Sequence, residues 1–461
     1  MSRPKAVVFI DNNMPLTLTL RAAYAQDQGY LTFLVSPEFE EHVLALIDNF
    51  VVNKREGIPL YTRRYATQDF DRTTLQNILA EIEQEADIAG MITGNGPFCK
   101  DGLVCAHVAA LAAERGLPSQ GEAALYLANN KYLMRDKFRA TGVNTIDFGL
   151  ALDEASAAAE ANRIGYPVLM KPINGVASHL IMKCNSAEEV VANFRHAMEK
   201  LPGSTFQSFY EGAHSFPNAQ GELVHFDPMR CLLLEQYIPG REVAVEVLIT
   251  EDRYIPLVVQ DKAVLTEDGR SVYEDLLITP PVRFTEEECR ELEACAVAAA
   301  QAIGLKNSIA HIELRYGENG LGPQVLEINS RIGGGFTHEV LRSIVDVDYV
   351  STYVELMTGT YQAKAHYERK NDPHGFFILF APHAGFYESI EGLDELKAMP
   401  GVISTMQPFP VGSQISGDEE EVFLLMAWMK VDNYEHLLST YQKAKEIIKF
   451  KITPNETSVQ A

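Results

Sequence analysis

The sequence predicts a mixed fold, in which an open, largely parallel α/β domain is followed by α+β units. Up to about residue 115, short apolar runs alternate with helical stretches, as in parallel strands joined by helical crossovers. Between residues 311 and 331, two segments have apolar residues at every second position, and this period-two pattern predicts a β-hairpin. After residue 365, further strand and helix patterns predict a separate α+β layer, in which we expect no chemistry.

The N-terminal elements are strands 6–10, 31–35 and 88–93 and helical stretches 16–28 and 103–115. Gly94-Asn95-Gly96 follows the third strand, where the backbone N–H groups of a helix start can bind an anion. A third glycine at the required spacing is absent, so the pattern does not indicate a dinucleotide site.

The next part of the chain contains a candidate phosphate cradle. Helical residues 123–140 carry Lys131, which on its own is typical of a surface lysine. An apolar strand then ends at Lys171, and the loop 174–179 of mostly small residues follows. A lysine beside open backbone N–H groups suits a phosphate, although an ordinary hairpin turn has the same pattern. Residues 201–228, rich in Gly, Ser, Pro and aromatics, predict a long exposed loop that covers a site.

Strands 231–238 and 243–249 surround a candidate nucleoside site. The apolar segment that crosses between them offers a surface for a flat base, with Glu235 near the end of the first strand. Glu242, just past the turn, is in position to accept from ribose hydroxyls. The remaining predicted elements are strand 255–260, which ends at Asp261-Lys262, helix 285–303, helix 338–344, strands 376–380 and 423–430, helix 393–399 and a helix capped by Asp432. The acidic residues 418–421 are expected in a solvated turn.

The hairpin predicted at 311–331 carries a candidate metal site. A fold-back near Gly320 sets Glu313 opposite Glu327, with their β-carbons roughly 4.5–5.5 Å apart. Two facing carboxylates destabilise a ladder unless one is protonated or a cation lies between them. Mg²⁺ suits this pair and would find a further oxygen in Asn329, while Arg331 suits a phosphoryl group in transfer. The alternative is a solvated hairpin face.

The composition limits the classes of partner. The 461 residues include 39 Lys and Arg against 63 Asp and Glu, a formal charge of −24, which argues against nucleic-acid and anionic-membrane partners. Six cysteines without a C-x-x-C pair indicate neither a disulfide framework nor a zinc site. A secretory apolar region and an apolar stretch of about eighteen residues are both absent, so we expect a cytoplasmic enzyme.

In order, Lys131 and the motifs KPINGVASH, LLEQYIPGREVAVEV, HIEL and LEINSRIGGG resemble the ATP-grasp ligases over about residues 120–340. The size and the C-terminal extension are similar to the L-amino-acid ligases that make dipeptides. The resemblance implies an ATP-grasp fold in four parts. These are an N-terminal open parallel α/β (pre-ATP-grasp) domain at 1–118, a lid subdomain at 119–230, a catalytic subdomain at 231–362 and a C-terminal α+β extension at 363–461.

The resemblance also implies roles for single residues. Lys131 and Lys171 would hold the α- and β-phosphates under the cradle loop. Glu235 and the backbone near Tyr237 would bind adenine, and Glu242 would bind the ribose. The implied ATP-binding residues are Lys131, Lys171, Gly175, Ser178, His179, Glu235, Tyr237, Ile238 and Glu242.

The implied metal ligands are Glu313, Glu327 and Asn329. The implied catalytic residues are Arg331, on the transferring phosphoryl group, and Lys262, on the γ-phosphate or substrate. Gly333, Gly334 and Gly335 would border the carboxylate substrate. The cradle loop departs from the usual glycine-rich pattern because it has a single glycine, which leaves the role of His179 open.

The activity implied is an ATP- and Mg²⁺- (or Mn²⁺-) dependent ligation of a carboxylate, as an acyl-phosphate, to an amine. Both substrates are expected to be small molecules, and specifically amino acids. The family resemblance is consistent with a homodimer. The alternatives are an ATP-grasp ligase for a non-amino-acid acid or amine or for bicarbonate, an ATP-grasp kinase, and a nucleotide-binding protein without turnover. The retained Glu313, Glu327, Asn329 and Arg331 argue against the last of these. Substrate specificity is expected from residues 333 onward, the 201–228 loop and residues 273–280.

Overall fold

The computed structural model describes residues 3–12, 18–38, 59–94, 98–99, 101–143, 146–175, 178–204, 207–267, 272–416 and 421–454. Parts of several predicted features lie outside these residues. They are residues 16–17 of the first helical stretch, Asn95 and Gly96, Val176 and Ala177 of the cradle loop, and residues 418–420.

The N-terminal domain is a parallel sheet covered by helices, as predicted. Its elements are β1 (Lys5–Ile10), α1 (Thr19–Asp27), β2 (Leu31–Ser36), β3 (Arg63–Ala66), α2 (Arg72–Glu85), β4 (Asp87–Thr93), the short pair β5 (Phe98–Cys99) and β6 (Gly102–Leu103), and α3 (Val104–Glu114). The strand order is β3-β2-β1-β4, and all three pairings are parallel. Strand β1 is buried along almost its whole length because both faces of a parallel sheet are covered.

A second unit is built on a four-stranded antiparallel sheet with the order β7-β12-β8-β9. Its elements are α4 (Glu122–Asn129), α5 (Lys131–Thr141), β7 (Phe148–Ala151), α6 (Glu154–Ile164), β8 (Val168–Pro172), β9 (Met182–Cys184), α7 (Ala187–Lys200), the hairpin β10 (His214–Pro217) and β11 (Leu223–Phe226), and β12 (Leu232–Gln236). Helices α6 and α7 pack against each other on this sheet, so Lys171 at the end of β8 is held on a rigid layer.

The prediction of an irregular loop at 201–228 was wrong, whereas many residues between 211 and 225 are exposed, as predicted. The segment contains a 3-10 turn, Gln207–Phe209, and the hairpin of β10 and β11. Tyr210 and Phe226 are fully buried in hydrophobic cores of the second unit and of the central sheet. The aromatic residues that suggested an exposed cover are therefore the residues that anchor the segment.

The centre of the molecule is an eight-stranded sheet with the order β17-β16-β13-β14-β15-β18-β22-β20. Its strands and the elements that follow them are β13 (Gly240–Ile249), β14 (Tyr254–Glu267), β15 (Val272–Thr279), α8 (Glu286–Ile303), β16 (Ser308–Gly317), β17 (Gly322–Asn329), α9 (Thr337–Val345), α10 (Tyr349–Thr358), β18 (His374–Phe380), β19 (Gly385–Glu391), α11 (Leu393–Lys397), β20 (Val402–Met406), β21 (Gln414–Ile415), β22 (Phe423–Lys430), α12 (Tyr434–Ile447) and β23 (Lys449–Thr453). Strands β21, β19 and β23 form a small sheet beside it.

The expectation of a separate C-terminal layer was wrong. Strand β18 pairs with β15, and β22 pairs with β18, so the C-terminal residues extend the central sheet by three strands. Period-two patterning identifies a strand but not its neighbours, and for this reason the sequence did not reveal the pairing. The cap of α12 also differs from the prediction, because the N-cap is Asn433, whose side chain accepts from the backbone N–H of His436.

Helix α10 joins the N-terminal domain to the rest of the chain. It packs against α1 and β4, and its Tyr353 and Leu356 share one hydrophobic core with Val7 and Phe9 of β1. The contact is close at Gly90, where an added β-carbon would lie 2.7 Å from the carbonyl oxygen of Met357. Among the described residues, no helix combines the length and the apolar character that a membrane crossing requires.

Candidate functional site

Two adjoining cavities of about 290 and 270 Å³ lie between the second unit and the central sheet. Their walls share Lys131, Lys171, Glu313 and Glu327, so they form one continuous cleft. The first cavity is also lined by Gly175, Ser178, His179, Asn329, Arg331, Gly334 and Gly335, and the second by Ser178, Glu235, Tyr237, Ile238 and Glu242. The fold therefore brings together every predicted site residue except Lys262 and Gly333, which line neither cavity.

The hairpin of β16 and β17 has the register that the sequence predicted. Glu313 lies opposite Glu327, and His311 lies opposite Asn329. The Glu327 carboxylate is 3.1 Å from the Lys131 ammonium, and the side chains of the two glutamates are 22–23% exposed. Two facing carboxylates and an amide oxygen, open to the same cavity, are an oxygen donor set that fits Mg²⁺ or Mn²⁺.

Lys262 lies beneath the cleft and is fully buried. Its ammonium donates to Glu242 at 2.8 Å, to Glu274 at 2.5 Å and to Glu313 at 2.9 Å. Burial opposes the charge of Lys262, but the three carboxylates outweigh it and hold its pKa well above the ordinary value. Lys262 was expected to touch the γ-phosphate or substrate; in this structure it lines neither cavity, and its hydrogen bonds are directed to carboxylates of the cleft wall.

A second buried charge cluster joins the second cavity to the first. Glu235 is 1% exposed and accepts from Arg135 at 3.0 Å and from Lys171 at 2.5 Å. Burial would raise the pKa of Glu235, but Arg135 and Lys171 outweigh it and lower the pKa. Burial lowers the pKa of Lys171, and Glu235 offsets this only in part. Arg135 was not predicted as a site residue, although it lies one helical turn after Lys131 on α5 and therefore on the same helix face.

The cradle loop is held from behind by the segment at 201–228. His179 is 5% exposed, and its Nδ1 lies 2.8 Å from the hydroxyl of Tyr210. Asn174 is 3% exposed and lines the first cavity. Neither polar atom of the Asn174 amide has a hydrogen-bond partner among the described residues. A buried amide beside Lys171 therefore has one donor group and one acceptor to offer a ligand.

The second cavity has an apolar wall and a charged rim. Tyr237 and Ile238 line it, and the ammonium of Lys183 lies 3.9 Å from the ring centroid of Tyr237. Glu242 accepts from Arg315 at 2.6 Å at the same wall. Burial would raise the pKa of Glu242, but Lys262 and Arg315 outweigh it and keep the carboxyl ionised. A flat apolar ring with polar edges fits such a cavity.

His311 and Glu246 support the glycines 333–335. The Nδ1 of His311 contacts the Glu246 carboxylate, which also accepts from the backbone N–H of Gly333 at 3.3 Å. Burial would lower the pKa of His311, but Glu246 and Glu313 raise it to about 9. A β-carbon on Gly333 would lie 2.6 Å from His311 Nδ1, so this glycine permits the close contact behind the cleft. Gly334 and Gly335 face the first cavity instead.

The C-terminal strands complete the first cavity, which sequence patterns did not indicate. Phe376, Phe423 and Met426 line it together with Glu274 and Glu421. Glu421, expected in a solvated turn, is 8% exposed. Burial and the charges of Glu274 and Glu313 raise the pKa of Glu421 well above its usual value. The residues after 365, in which no chemistry was expected, thus supply part of the cleft.

Comparisons with known proteins agree with this geometry. Residues 164–339 match the family profile of the ATP-grasp domain. The L-amino acid ligase from Bacillus licheniformis superposes with a TM-score of 0.73 at 19% identity, over 98% of this chain and 100% of that chain. The biotin carboxylase domain of 2-oxoglutarate carboxylase from Hydrogenobacter thermophilus, solved with MgADP and bicarbonate, gives a TM-score of 0.64 at 19% identity, over 98% and 92%. Alanine–anticapsin ligase of Bacillus subtilis strain 168 is 22% identical over 294 residues, which are 60% of this chain and 56% of that protein.

The chain thus contains an ATP-grasp domain, has the ATP-grasp fold and resembles the L-amino-acid ligases, as its motifs predicted. The matched residues include the cradle loop, Glu235, Glu242 and the whole hairpin of β16 and β17. The chain spans 62%, 48% and 56% of the length of three curated relatives. The activity and substrates of those longer proteins are therefore not transferred to this chain by similarity alone.

Proposed function

We propose that this chain, which carries an ATP-grasp domain, is an ATP- and Mg²⁺-dependent ligase that joins the carboxylate of one amino acid to the amine of another. The observation that carries the proposal is the cleft wall on which Glu313, Glu327, Asn329 and Arg331 come together beside the phosphate cradle. Binding of adenine needs none of these four residues, whereas phosphoryl transfer needs charge compensation at the reacting phosphate.

In this proposal ATP lies across both cavities. The adenine ring occupies the second cavity against Tyr237 and Ile238, and Glu242 accepts from the ribose hydroxyls. The phosphates extend into the first cavity, where Lys131 and Lys171 hold the α- and β-phosphates. The apolar wall at Tyr237 and Ile238 in the second cavity, and Arg331 in the first, support this orientation over the reverse one.

The reaction follows in two steps. A carboxylate oxygen of the acid substrate attacks the γ-phosphorus, and the new O–P bond forms while the bond to the bridging oxygen of ADP breaks. The products of this step are an acyl-phosphate and ADP. The nitrogen of the amine then attacks the carbonyl carbon, so that the C–N bond forms, the C–O bond to phosphate breaks, and phosphate and the amine proton are released.

The side chains act by position and charge. Arg331 offers its planar fork to the oxygens of the phosphoryl group. Mg²⁺ bound by Glu313, Glu327 and Asn329 would neutralise charge on the phosphate oxygens. Lys262 acts as a positioning residue, because it holds the Glu313 carboxylate from below at 2.9 Å. A side-chain nucleophile is not required at any step.

The direct test is phosphate release from ATP and Mg²⁺ with pools of L-amino acids, followed by mass spectrometry of the products. We expect release that depends on two amino acids and a product with the mass of a dipeptide. A phosphorylated acid that accumulates without an amine would indicate a kinase instead. Amide products only with other amines would reassign the amine substrate, and carboxylation products with bicarbonate would reassign the acid substrate.

The first variant to test is Glu327→Gln. Loss of one of the two facing carboxylates should lower turnover by on the order of 10²- to 10³-fold, because charge compensation at the phosphate is lost. Glu318→Gln is the matched control, since Glu318 is exposed in the turn of the same hairpin. A Glu327→Gln rate within a factor of a few of the Glu318→Gln rate would contradict the metal assignment.

A further inference from the structure

The first cavity has a wall that lies mostly beyond the matched ATP-grasp domain. Apart from Leu277 and Glu274 on β15, this wall is formed by residues of β18 and by residues 421–426. We propose that it binds the acid substrate of the ligation as an α-amino acid with an apolar side chain, whose ammonium group lies against Glu421. This inference rests on the proposed ligase function and names the class of its acid substrate.

The apolar part of the wall is continuous across three strands. Leu277 of β15 pairs with Phe376 of β18, and Ile378 of β18 pairs with Met426 of β22. Phe376 and Ile378 are two residues apart on one strand, so their side chains lie on the same face of the sheet. All four line the cavity. Bicarbonate or a strongly charged side chain would gain nothing from this surface, whereas an aliphatic or aromatic side chain would be removed from water.

The polar part of the wall has a surplus of carboxylates. Four carboxyls behind this wall, those of Glu242, Glu246, Glu274 and Glu313, share the three cations of Lys262, Arg315 and His311. Glu421 is 8% exposed, and its Oε1 has no hydrogen-bond partner among the described residues. An ammonium group carries three donors and a positive charge, and it would satisfy this oxygen with a charge-assisted hydrogen bond.

The carboxylate of such a ligand, which is bonded to the same carbon as its ammonium group, has a complementary partner in the same cavity. Arg331, Gly334 and Gly335 line it, next to the first turn of α9 at Thr337. A carboxylate suits both the guanidinium of Arg331 and the positive end of the helix. The carboxylate that attacks the γ-phosphate has to lie at this end, beside Asn329 and Glu327. The molecule that also reaches Glu421 and the apolar wall is therefore the acid substrate and not the amine.

The test uses hydroxylamine as the amine, so that the acid is the only unknown substrate. The full chain is incubated with ATP, Mg²⁺ and hydroxylamine together with matched pairs of acids. The pairs are leucine and 4-methylpentanoate, methionine and 4-(methylthio)butanoate, and phenylalanine and 3-phenylpropanoate. Hydroxamate and ADP are measured. We expect kcat/KM to be at least about tenfold higher for the amino acid in at least one pair, because only the amino acid offers a cation to the buried carboxyl.

Glu421→Gln should reduce that preference at least about tenfold, mainly through KM for the amino acid. Glu421→Asp keeps the carboxyl group and should retain part of the preference. Glu391→Gln is the control, since Glu391 is exposed in the same C-terminal part of the chain. Circular dichroism and binding of a non-hydrolysable ATP analogue verify that each variant is folded.

Calorimetric titration of the same acids, with the ATP analogue and Mg²⁺ present, separates this inference from the proposed function. Hydroxamate formation without any preference for amino acids, or a preference unchanged in Glu421→Gln, would overturn the inference and leave the ligase function intact. Amino acids that bind in a Glu421-dependent way without ADP formation would support the inference and overturn the ligase function. Neither binding nor turnover with any acid would overturn both.

Discussion

At the scale of single residues, the cleft is built on charges that have been removed from water. Arg135 and Lys262 are both fully buried, and each is neutralised by carboxylates that belong to other elements. The net stabilisation by such a buried pair is small, because desolvation offsets the attraction, but removal of one partner leaves an uncompensated charge. The geometry of the nucleotide site therefore depends on residues that do not themselves face the ligand.

Arg135 allows this dependence to be measured. We expect Arg135→Met to lower the free energy of unfolding by about 3–5 kcal/mol, because Glu235 would keep only Lys171 as a partner. Arg139 lies one turn further along α5, with a side chain that is 49% exposed, and Arg139→Met should cost less than about 1 kcal/mol. Urea unfolding followed by circular dichroism compares the two, and equal midpoints would show that the buried pair is not structural.

His311 predicts a pH dependence of stability. Its pKa in the folded protein, about 9, lies above the ordinary value of 6.5. The stabilisation by His311 is therefore fully present below pH 6.5 and is lost as the pH rises through 9. In protein treated with EDTA, we expect a loss of about 3 kcal/mol over this window.

Urea unfolding of the EDTA-treated protein between pH 6 and 10 measures this loss. His311→Gln should be less stable at pH 6 and should show a flatter profile. A profile of the same slope in the variant would assign the pH dependence to another group. Chelation matters here because a metal ion on Glu313 would compete with His311 for that carboxylate.

At the scale of elements, the glycines after β17 connect the hairpin to the C-terminal strands. A β-carbon on Gly335 would lie 2.7 Å from the terminal carbon of Met426 and 3.2 Å from the ring of Phe376, and its φ is +60°. The backbone of this turn thus packs directly on β18 and β22. The glycine requirement combines a left-handed conformation with a close approach to the cavity wall.

A pair of glycine substitutions separates these two requirements. Gly320 has φ +82° with nothing within 4 Å of an added β-carbon, so Gly320→Ala introduces backbone strain alone. We expect it to cost roughly 1–2 kcal/mol of stability and to leave activity intact. Gly335→Ala should add a clash with Met426, and the KM of the acid substrate should rise at least about tenfold while ATP binding persists. Thermal denaturation and steady-state kinetics test both, and equal kinetics would show that the wall tolerates displacement.

The elements that carry the chemistry were also the most predictable ones. The hairpin of β16 and β17 was predicted with the register that sets Glu313 opposite Glu327. The prediction was possible because period-two alternation of polar and apolar residues and a glycine-rich turn determine a local strand pairing. Strand β14 was predicted too short, at 255–260, whereas it continues to Glu267 through two irregularities in its pairing with β15. An irregularity in the pairing shifts the alternation of apolar and polar residues by one position, and the sequence prediction depends on that alternation.

In the whole molecule, the eight-stranded sheet makes the C-terminal residues part of the wall of the cleft. A chain that ends at residue 362 would lose β18, β20 and β22 and leave β15 as an unpaired edge. We expect it to be aggregated or unfolded, because buried side chains such as Leu277 would be exposed beside that edge.

A chain that ends at residue 454 keeps β23 and serves as the control for this truncation. Size-exclusion chromatography and circular dichroism of both chains measure the outcome. A soluble, folded chain ending at residue 362 that still binds the ATP analogue would mean that the last hundred residues are an independent layer after all.

Local sequence patterns were sufficient to predict the parallel N-terminal sheet, the strand that ends at Lys171, the hairpin with Glu313 facing Glu327, and the ATP-grasp resemblance. These features depend on local periodicity and on motifs whose spacing is set within one or two elements. The folded structure was needed to show that Lys262 lies beneath the cleft, that Arg135 holds Glu235, and that Glu421 lines the first cavity. Each of these contacts joins residues far apart in the chain, and the pairing of distant strands and buried charges is fixed by packing and desolvation, which local patterns do not encode.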